Sequence, residues 1–255
     1  DAVVITLPNH LHAEATIAAA KAGKHVLVEK PMATILEEGK KMVAAAKKAG
    51  TLLLVNQSQR LAPEHRKAKE VLDSGILGKV LHVTAMFGHA GPEAWSPQGK
   101  WFFDRKRARF GAMADLGVHK ADLVRYLTSK EVGEITGFYE RLEKKGASVE
   151  DNFVSAVKFQ DGTVGTLCAS WTAKGSGVDY TIFHCSNGTF YVKLFPDAPL
   201  VAELVNPECR IVFEPTYPDN VYPESWGMDV GGAFARACLG SEPPFCTGED
   251  ALKSL

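Results

Sequence analysis

Short apolar runs alternate with longer amphipathic stretches over the first 55 residues. The apolar runs contain many β-branched residues and predict buried strands, and the stretches between them predict helices. The predicted strands are Ala2–Leu7, His25–Val28 and Thr51–Val55, and the predicted helices are His10–Ala22 and Thr34–Gly50. Glu37 follows Thr34 at capping-box spacing, and a glycine ends each helix. Such short links between alternating elements predict parallel strands with right-handed crossovers.

The pattern changes after residue 60, where strand-like runs predominate. Helices are predicted over Pro63–Ser74 and Ala114–Leu127. The predicted strands are Val80–Phe87, Phe153–Phe159, Val164–Trp171, Tyr180–Cys185, Phe190–Leu194, Leu200–Leu204 and Ile211–Glu214. Asp161-Gly162 and Asn187-Gly188 stand between such runs and predict hairpins. We therefore predict two domains, an α/β unit over residues 1–60 and an α+β unit with a large, mainly antiparallel open sheet over residues 61–255.

The predicted open sheet has more apolar surface than the predicted helices can cover. Its long strands carry Phe153, Phe159, Trp171, Phe183 and Phe190. Large exposed apolar patches usually mark interaction sites. We expect one face of the sheet to form a subunit interface in a homodimer or homotetramer.

Composition and charge restrict the other partners of the chain. It has 255 residues, a formal net charge of −1 and 45% hydrophobic residues. This balance gives no reason to expect nucleic acid or an anionic membrane as a partner. No apolar run approaches the roughly 20 residues that span a bilayer. Five cysteines without CxxC spacing argue against a disulfide framework or a structural zinc site, so we expect a reducing cytoplasm.

A short loop that contains polar residues follows each predicted parallel strand. They are Pro8-Asn9, Glu29-Lys30-Pro31 and Asn56-Gln57. Since the carboxyl ends of parallel strands meet at one edge of a sheet, Lys30 falls at a ligand-binding edge. A solvated loop lysine is the ordinary alternative. Pro31 favours a fixed, functional Lys30 over this alternative, because a proline restricts the backbone of the residue before it.

Asp115 and His119 stand four residues apart on a predicted helix and so on one of its faces. Asp115 could orient the imidazole of His119 or stabilise its charged form. The alternatives are a surface pair and a metal site. No third ligand stands at a telling distance, so we expect no metal.

Several motifs resemble the glucose–fructose oxidoreductase / inositol dehydrogenase (Gfo/Idh/MocA) family. They are Thr6-Leu7-Pro8-Asn9-His10-Leu11-His12, Gly23-Lys24-His25-Val26-Leu27-Val28-Glu29-Lys30-Pro31, Asp115-Leu116-Gly117-Val118-His119, Glu150-Asp151-Asn152 and Thr247-Gly248-Glu249-Asp250-Ala251. The resemblance implies a Rossmann dinucleotide-binding domain, here its C-terminal part, and binding of NAD or NADP. It also implies cofactor contacts from Leu7, Pro8, Asn9, His12, Glu29 and Lys30. Lys30 and His119 would flank the substrate hydroxyl, with Asp115 nearby.

Two departures from the family pattern are visible. The glycine-rich turn that grips the cofactor pyrophosphate is not found, and we expect it in a further segment before Asp1. The glycine-rich turn before Asp115 reads Ala108-Arg109-Phe110-Gly111. Arg109 and Phe110 should therefore fill space near the substrate pocket.

These observations predict an oxidoreductase that moves a hydride between a nicotinamide cofactor and a secondary or anomeric alcohol of a sugar, inositol or related polyol. Neutral His119 would accept the proton, Lys30 would stabilise the developing alkoxide, and Asp115 would position the imidazole. Lys30 as the base remains open, because burial can lower the pKa of a lysine. The alternative functions are a non-catalytic dinucleotide-binding sugar sensor and a glycosidase that uses the cofactor transiently.

Overall fold

The beginning of the chain forms a parallel sheet flanked by helices. The computed structural model describes residues 1–217 and 228–255. The first elements are β1 (Ala2–Ile5), α1 (His12–Lys21), β2 (His25–Val28), α2 (Leu36–Ala49) and β3 (Leu53–Val55). The strands pair in parallel in the order β1-β2-β3. The predicted α/β arrangement of this part is confirmed.

The middle of the chain builds a large, mostly antiparallel sheet. Its elements are α3 (Pro63–Asp73), β4 (Val80–Gly88), α4 (Arg105–Ala108), a π-helical turn (Met113–Gly117), α5 (Val118–Thr128), β5 (Val132–Glu140), β6 (Asn152–Phe159), β7 (Val164–Ser170), β8 (Val178–Cys185), β9 (Gly188–Phe195), β10 (Ala198–Val205) and β11 (Glu208–Val212). The strand order is β11-β10-β9-β8-β4-β7-β6-β5. The pairing of β4 with β7 is parallel and the others are antiparallel. This confirms the predicted open sheet.

Both predicted hairpins are present. Asp161-Gly162 joins β6 to β7, and Gly162 takes a left-handed φ of 89°, which favours glycine. Asn187 lies in the turn that joins β8 to β9, and Gly188 is the first residue of β9. The turn residues therefore set the register of two strand pairs, which lie on either side of β4.

Helices α3 and α5 cover one face of the large sheet, and in the described part of the chain no helix covers the other face. The covered face holds a core that includes Val83, Leu123, Phe183 and Phe190. Of the aromatic residues predicted for a subunit interface, Phe159, Trp171, Phe183 and Phe190 are at most 1% exposed. These four side chains are therefore not available for an interface, because Phe159, Phe183 and Phe190 lie in the core beneath the helices and Trp171 packs near the π-helical turn.

Some boundaries differ from those predicted. Helix α2 begins at Leu36, and Thr34 is bonded through both its N–H and its hydroxyl to Glu38 rather than to Glu37. Strand β5 was not predicted from the sequence, because Gly133 and Gly137 interrupt its alternation of apolar and polar residues. Within the two described stretches, no helix is long and apolar enough to cross a membrane.

The last described residues return to the parallel sheet. They form α6 (Val230–Cys238) and α7 (Gly248–Ala251). Phe234 and Ala237 of α6 pack with Leu27 and Leu54 of the parallel strands. The sequence did not predict that the last residues pack against the parallel strands. Residues after the predicted boundary at residue 60 therefore contribute to the core around these strands.

Candidate active site

A cleft of about 410 Å³ opens at the carboxyl ends of the parallel strands. One side carries residues that follow β1 and β2, and these are Thr6, Leu7, Asn9, Glu29, Lys30 and Pro31. The other side carries aromatic residues before the π-helical turn, and these are Trp95, Trp101, Phe102 and Phe110. Asp115 lies in the same cleft. The predicted ligand edge and the predicted helix thus meet at one place.

Lys30 is held by Asp115 from the opposite side of the cleft. Its Nζ donates to the backbone carbonyl oxygen of Asp115 at 2.7 Å and to Oδ1 at 2.9 Å. The Lys30 side chain is 18% exposed. An ammonium group has three protons, and these contacts use two of them. Lys30 is therefore a fixed charge in the cleft and not a solvated loop lysine.

The Asp115 carboxylate is buried and collects three donors. Besides Lys30, it accepts a hydrogen bond from Trp171 Nε1 at 3.0 Å, and His89 Nε2 lies 3.4 Å from Oδ2. Burial alone raises the pKa of this carboxyl, but Lys30, His89 and Trp171 together hold the pKa well below its usual range. Asp115 therefore stays ionised, which suits an orienting group and not a proton donor.

The tautomer of His89 follows from its neighbours. The backbone N–H of Gly91 donates to His89 Nδ1 at 2.9 Å, so Nδ1 carries no proton when the ring is neutral. The proton then lies on Nε2, which faces Asp115. Sequence analysis missed both His89 and Trp171, which stand just after the ends of β4 and β7. The strand ends were the signal that could have found them.

His119 is 9% exposed and lies near enough to Lys30 and Asp115 for both charges to act on its pKa, although it is not one of the residues that line the cleft. Burial, and then the nearby charge of Lys30, lower the pKa of His119 to about 3. Its Nδ1 is buried and has no hydrogen-bond partner within residues 1–217 and 228–255. The expected hydrogen bond from the imidazole to Asp115 is thus not formed, because the carboxylate is occupied by other donors. The neutral ring predicted from the sequence agrees with the lowered pKa.

A π-helical turn carries Asp115 into the cleft. A π turn contains more residues per turn than an α-helix and often marks a functional site. It runs from Met113 to Gly117 and continues into α5, which carries His119. The sequence predicted one regular helix here, and the wider turn changes how Asp115 and His119 face each other.

Glu150 holds the start of this turn. Its Oε1 accepts hydrogen bonds from the N–H of Gly111 at 2.7 Å and of Met113 at 3.0 Å. A Cβ on Gly111 would lie 1.9 Å from the carbonyl oxygen of Glu150. Glu150, the first residue of the Glu150-Asp151-Asn152 motif, therefore supports the start of the π-helical turn. Phe110 lines the cleft as expected, whereas Arg109 lines a neighbouring apolar cavity.

The predicted cofactor residues fall into two groups. Leu7 is 43% exposed at the rim of the cleft, and Glu29 is fixed by Asn56 Nδ2, which donates to Oε1 at 2.6 Å. His12 is fully buried, and its ring nitrogens lie 2.6 Å from the Leu7 carbonyl oxygen and 2.9 Å from that of Pro31. His12 therefore holds the two loops together. The exposed apolar rim at Leu7 fits the flat nicotinamide end of a dinucleotide.

Two family models match successive parts of the chain. Residues 1–57 match an oxidoreductase family with an NAD-binding Rossmann fold. Residues 65–191 match the GFO/IDH/MocA C-terminal domain. The two matches cover the parallel sheet and most of the large sheet. They confirm the predicted fold class and the predicted nicotinamide cofactor.

Individual proteins agree with these models. The chain is 31% identical to 1,5-anhydro-D-fructose reductase of Ensifer adhaerens over 256 aligned positions, covering 100% of this chain and 74% of that protein. It is 33% identical to levoglucosan dehydrogenase of Pseudarthrobacter phenanthrenivorans over 202 positions, covering 68% of this chain and 50% of that protein.

Among solved structures, an aldose-aldose oxidoreductase from Caulobacter crescentus superimposes with a TM-score of 0.83 at 25% identity, covering 100% of this chain and 73% of that one. Relatives of this kind are oxidoreductases of sugars and polyols, as the sequence predicted. The chain thus spans 74% of the first of these relatives and 50% of the second. With its two matched domains and its Lys30–Asp115 cleft, the chain belongs to the Gfo/Idh/MocA family of oxidoreductases.

Proposed function

We propose that this chain carries the catalytic residues of a nicotinamide-dependent dehydrogenase or reductase that interconverts a hydroxyl and a carbonyl group of a sugar or polyol. The observation that carries the proposal is the fixed ammonium of Lys30 in the cleft, with the buried, neutral His119 close enough for the charge of Lys30 to lower its pKa. Oxidation of an alcohol needs an acceptor for the hydroxyl proton and a positive group for the developing oxyanion. This pair supplies both.

Each residue has a distinct role in the proposed mechanism. The third N–H of Lys30 donates to the substrate oxygen and stabilises its negative charge as the proton leaves. The neutral imidazole of His119 accepts that proton. Asp115 is a positioning residue, because its carboxylate fixes the direction of the Lys30 ammonium. Lys30 as the proton acceptor is the alternative. A pH–rate profile that shifts in His119→Gln but not in Lys30→Ala would favour His119.

The cofactor is NAD or NADP, and Leu7, Pro8, Asn9, Glu29 and Lys30 would hold its nicotinamide end. When bound, it accepts or supplies the hydride of the reaction. His12 acts from behind, because its buried ring joins the two loops that carry these residues.

Turnover in the full-length enzyme tests the proposal. Lys30→Ala and His119→Ala should each lower kcat by roughly 10²- to 10⁴-fold, as the loss of acid–base or oxyanion partners usually does. Lys24→Ala, a change at a half-exposed lysine outside the cleft, is the matched control. Near-normal turnover in either cleft variant would contradict the assigned roles.

The same experiment separates the other functions. Reduced cofactor that accumulates in proportion to the substrate oxidised supports a dehydrogenase. Cleavage of a glycoside without net reduction of the cofactor would favour the glycosidase alternative. Binding of cofactor and sugar without either reaction would favour a sensor.

Two broader properties are also proposed. The open face of the large sheet forms a homodimer or homotetramer interface, since Phe138 is 80% exposed and Val154 is 54% exposed on neighbouring strands. The protein works in the cytoplasm, and its exposed free thiol at Cys209 suits a reducing compartment. Cell fractionation tests the second property, and recovery of the protein outside the cytoplasm would contradict it.

A further inference from the structure

His89 stands between the Asp115 carboxylate and the loop of residues 90–99, which follows β4 and is called the β4 loop below. Its backbone N–H donates to the carbonyl oxygen of Ser170 at 3.0 Å, so the residue is fixed beside the end of β7. Its Nε2 lies 3.4 Å from Asp115 Oδ2, and its Nδ1 accepts the backbone N–H of Gly91 at 2.9 Å. Each ring nitrogen therefore contacts a different part of the site.

One tautomer of the neutral imidazole satisfies both contacts. Because the Gly91 N–H needs an acceptor at Nδ1, the ring proton lies on Nε2 and is directed at the Asp115 carboxylate. In the other tautomer, Nδ1–H would face the Gly91 N–H, and Nε2 would present a lone pair to a carboxylate oxygen. The two ends of the His89 ring are therefore linked, since the bond at one nitrogen decides what the other nitrogen offers.

The β4 loop forms one side of the cleft that contains Lys30 and Asp115, through Trp95 and Ser96. Backbone hydrogen bonds connect these residues to the base of the loop. The Trp95 N–H donates to the Pro92 carbonyl oxygen at 3.2 Å, and the Ser96 N–H donates to the same oxygen at 2.8 Å. A shift of the base would therefore move the residues that line the cleft.

Two side chains hold the base of the β4 loop. Lys144 Nζ donates to the Ala90 carbonyl oxygen at 2.6 Å and pairs with Glu93 at 2.9 Å. The second holder is His89, through the Gly91 N–H. Of these two side chains, His89 also contacts the carboxylate that directs the Lys30 ammonium.

We propose that His89 is a positioning residue that couples the Lys30–Asp115 pair to the β4 loop. The inference rests on the proposed function and adds a residue to it. Through Nε2–H the ring orients the Asp115 carboxylate, and thereby the Lys30 ammonium. Through Nδ1 it holds the loop that shapes the cleft around a bound ligand. The first contact acts on kcat and the second on KM.

Two amide variants separate the two contacts, because asparagine places its amide near the position of Nδ1 and glutamine reaches that of Nε2. His89→Asn should keep an acceptor for Gly91 and lose the donor to Asp115. We expect its kcat to fall about 10-fold or more, as for a lost hydrogen bond to a charged group, with KM nearly unchanged. His89→Gln should keep the donor and lose the acceptor. We expect its KM to rise roughly 3- to 10-fold with little change in kcat.

Two NMR measurements on the full-length protein do not depend on turnover. At alkaline pH, where the ring is neutral, the ¹⁵N shifts of labelled histidine should show His89 as the Nε2–H tautomer. Hydrogen exchange of the Gly91 amide should be slow in the wild type and in His89→Asn, because the amide stays bonded. In His89→Gln it should be about 10-fold faster or more. The tautomer is measured in the wild type, so it decides even where a variant fails to fold.

His25→Gln is the matched control. The backbone N–H of Leu52 donates to His25 Nδ1 at 2.9 Å, which is the same kind of bond as that between Gly91 and His89. His25 is the first residue of β2, whereas the cleft lies at the carboxyl ends of the parallel strands. The control variant should therefore keep the kcat and KM of the wild type.

Three results would overturn the coupling. These are the Nδ1–H tautomer in the wild type, unchanged Gly91 exchange in His89→Gln, and equal changes of kcat and KM in the two His89 variants. The last would make His89 a structural residue only. The expected tautomer and exchange pattern in a protein without turnover would uphold the two contacts of His89 and reject the proposed reaction.

Discussion

A buried carboxylate with three donors organises the proposed catalytic site. Asp115 fixes the Lys30 ammonium directly and shares its second oxygen between Trp171 and His89. Its carboxylate therefore acts on Lys30 rather than on His119, to which the sequence spacing pointed. A helical i,i+4 spacing shows which residues share a face, but it does not show which donors from other strands reach the carboxylate first.

Replacement of Asp115 by asparagine tests this role. The amide would set an N–H against one of its three donors and leave a buried group unpaired, which costs about 1–3 kcal/mol of stability. We expect kcat to fall more than KM rises, because the ammonium is misdirected and not removed. Steady-state kinetics and urea unfolding measure the two effects. Asp73→Asn, at an exposed carboxylate, is the control, and an unchanged kcat in Asp115→Asn would contradict the role.

The buried histidines make stability depend on pH. Burial, and then Lys120, lower the pKa of His65 to about 3, and burial and Lys30 lower that of His119 to the same value. The unfolded chain binds these protons near pH 6.5, so each histidine's contribution to stability is full above that pH. As pH falls from about 6.5 toward 3, stability is lost by roughly 1.4 kcal/mol per pH unit for each proton.

The variant His65→Gln should reduce this slope by about one proton. Gln retains a donor for the Gln59 carbonyl oxygen that His65 Nδ1 contacts at 2.8 Å. Urea unfolding at several pH values between 4 and 7 measures the slope. The exposed His184 supplies the control variant, His184→Gln. An equal slope in His65→Gln and the wild type would show that His65 titrates alike in both states.

Single residues could be predicted where a local motif carried them. Lys30 was found because a loop after a parallel strand faces ligands, and Asp115 because it stands in a recognisable motif. The roles of His89 and Trp171 were not found. These two residues lie far apart in sequence and meet because strands β4 and β7 pair in parallel.

Among the elements, the π-helical turn depends most on its neighbours. A π turn has poor intrinsic stability and persists where other contacts support it. Glu150 provides that support through the N–H groups of Gly111 and Met113. The sequence pattern predicted an ordinary helix, because the support comes from a residue nearly 40 positions away.

Substitution of Gly111 by alanine tests the dependence. The new Cβ would overlap the Glu150 carbonyl oxygen, at 1.9 Å, and would push the turn away from its anchor. We expect a large loss of kcat together with a loss of several kcal/mol of stability, in the range of severe backbone clashes. Gly146→Ala is the control, because its Cβ would meet nothing within 4 Å. Wild-type kinetics in Gly111→Ala would refute the coupling.

The register of the large sheet decides which side chains remain for assembly of the whole molecule. Phe138 faces Val154 across β5 and β6, and Val154 in turn faces Cys168 on β7. These residues share the face opposite the helices, whereas Phe183 and Phe190 lie beneath α3 and α5. The sequence correctly predicted that the large sheet has an open apolar face, but not which residues lie on it. Alternation alone does not tell which of the two faces the helices cover.

Replacement of Phe138 by glutamate tests the proposed assembly. A charge at this 80% exposed position would be desolvated in an interface and would weaken the association. We expect a multimer in the wild type and a monomer in Phe138→Glu by light scattering at micromolar concentration. Leu239→Glu, at an equally exposed position on the surface away from the sheet, should retain the multimer. A monomeric wild type would contradict the interface.

The return of the last residues to the parallel sheet affects how the protein is made. Leu27 and Leu54 receive part of their cover from Phe234 and Ala237. Asp250, within α7, pairs with Arg60 at 2.6 Å and joins the same two regions. On the ribosome, the strands emerge long before their cover is translated. A nascent chain stalled before Val230 should therefore keep Leu27 and Leu54 accessible to chaperones, so that the sheet synthesised earlier is completed last.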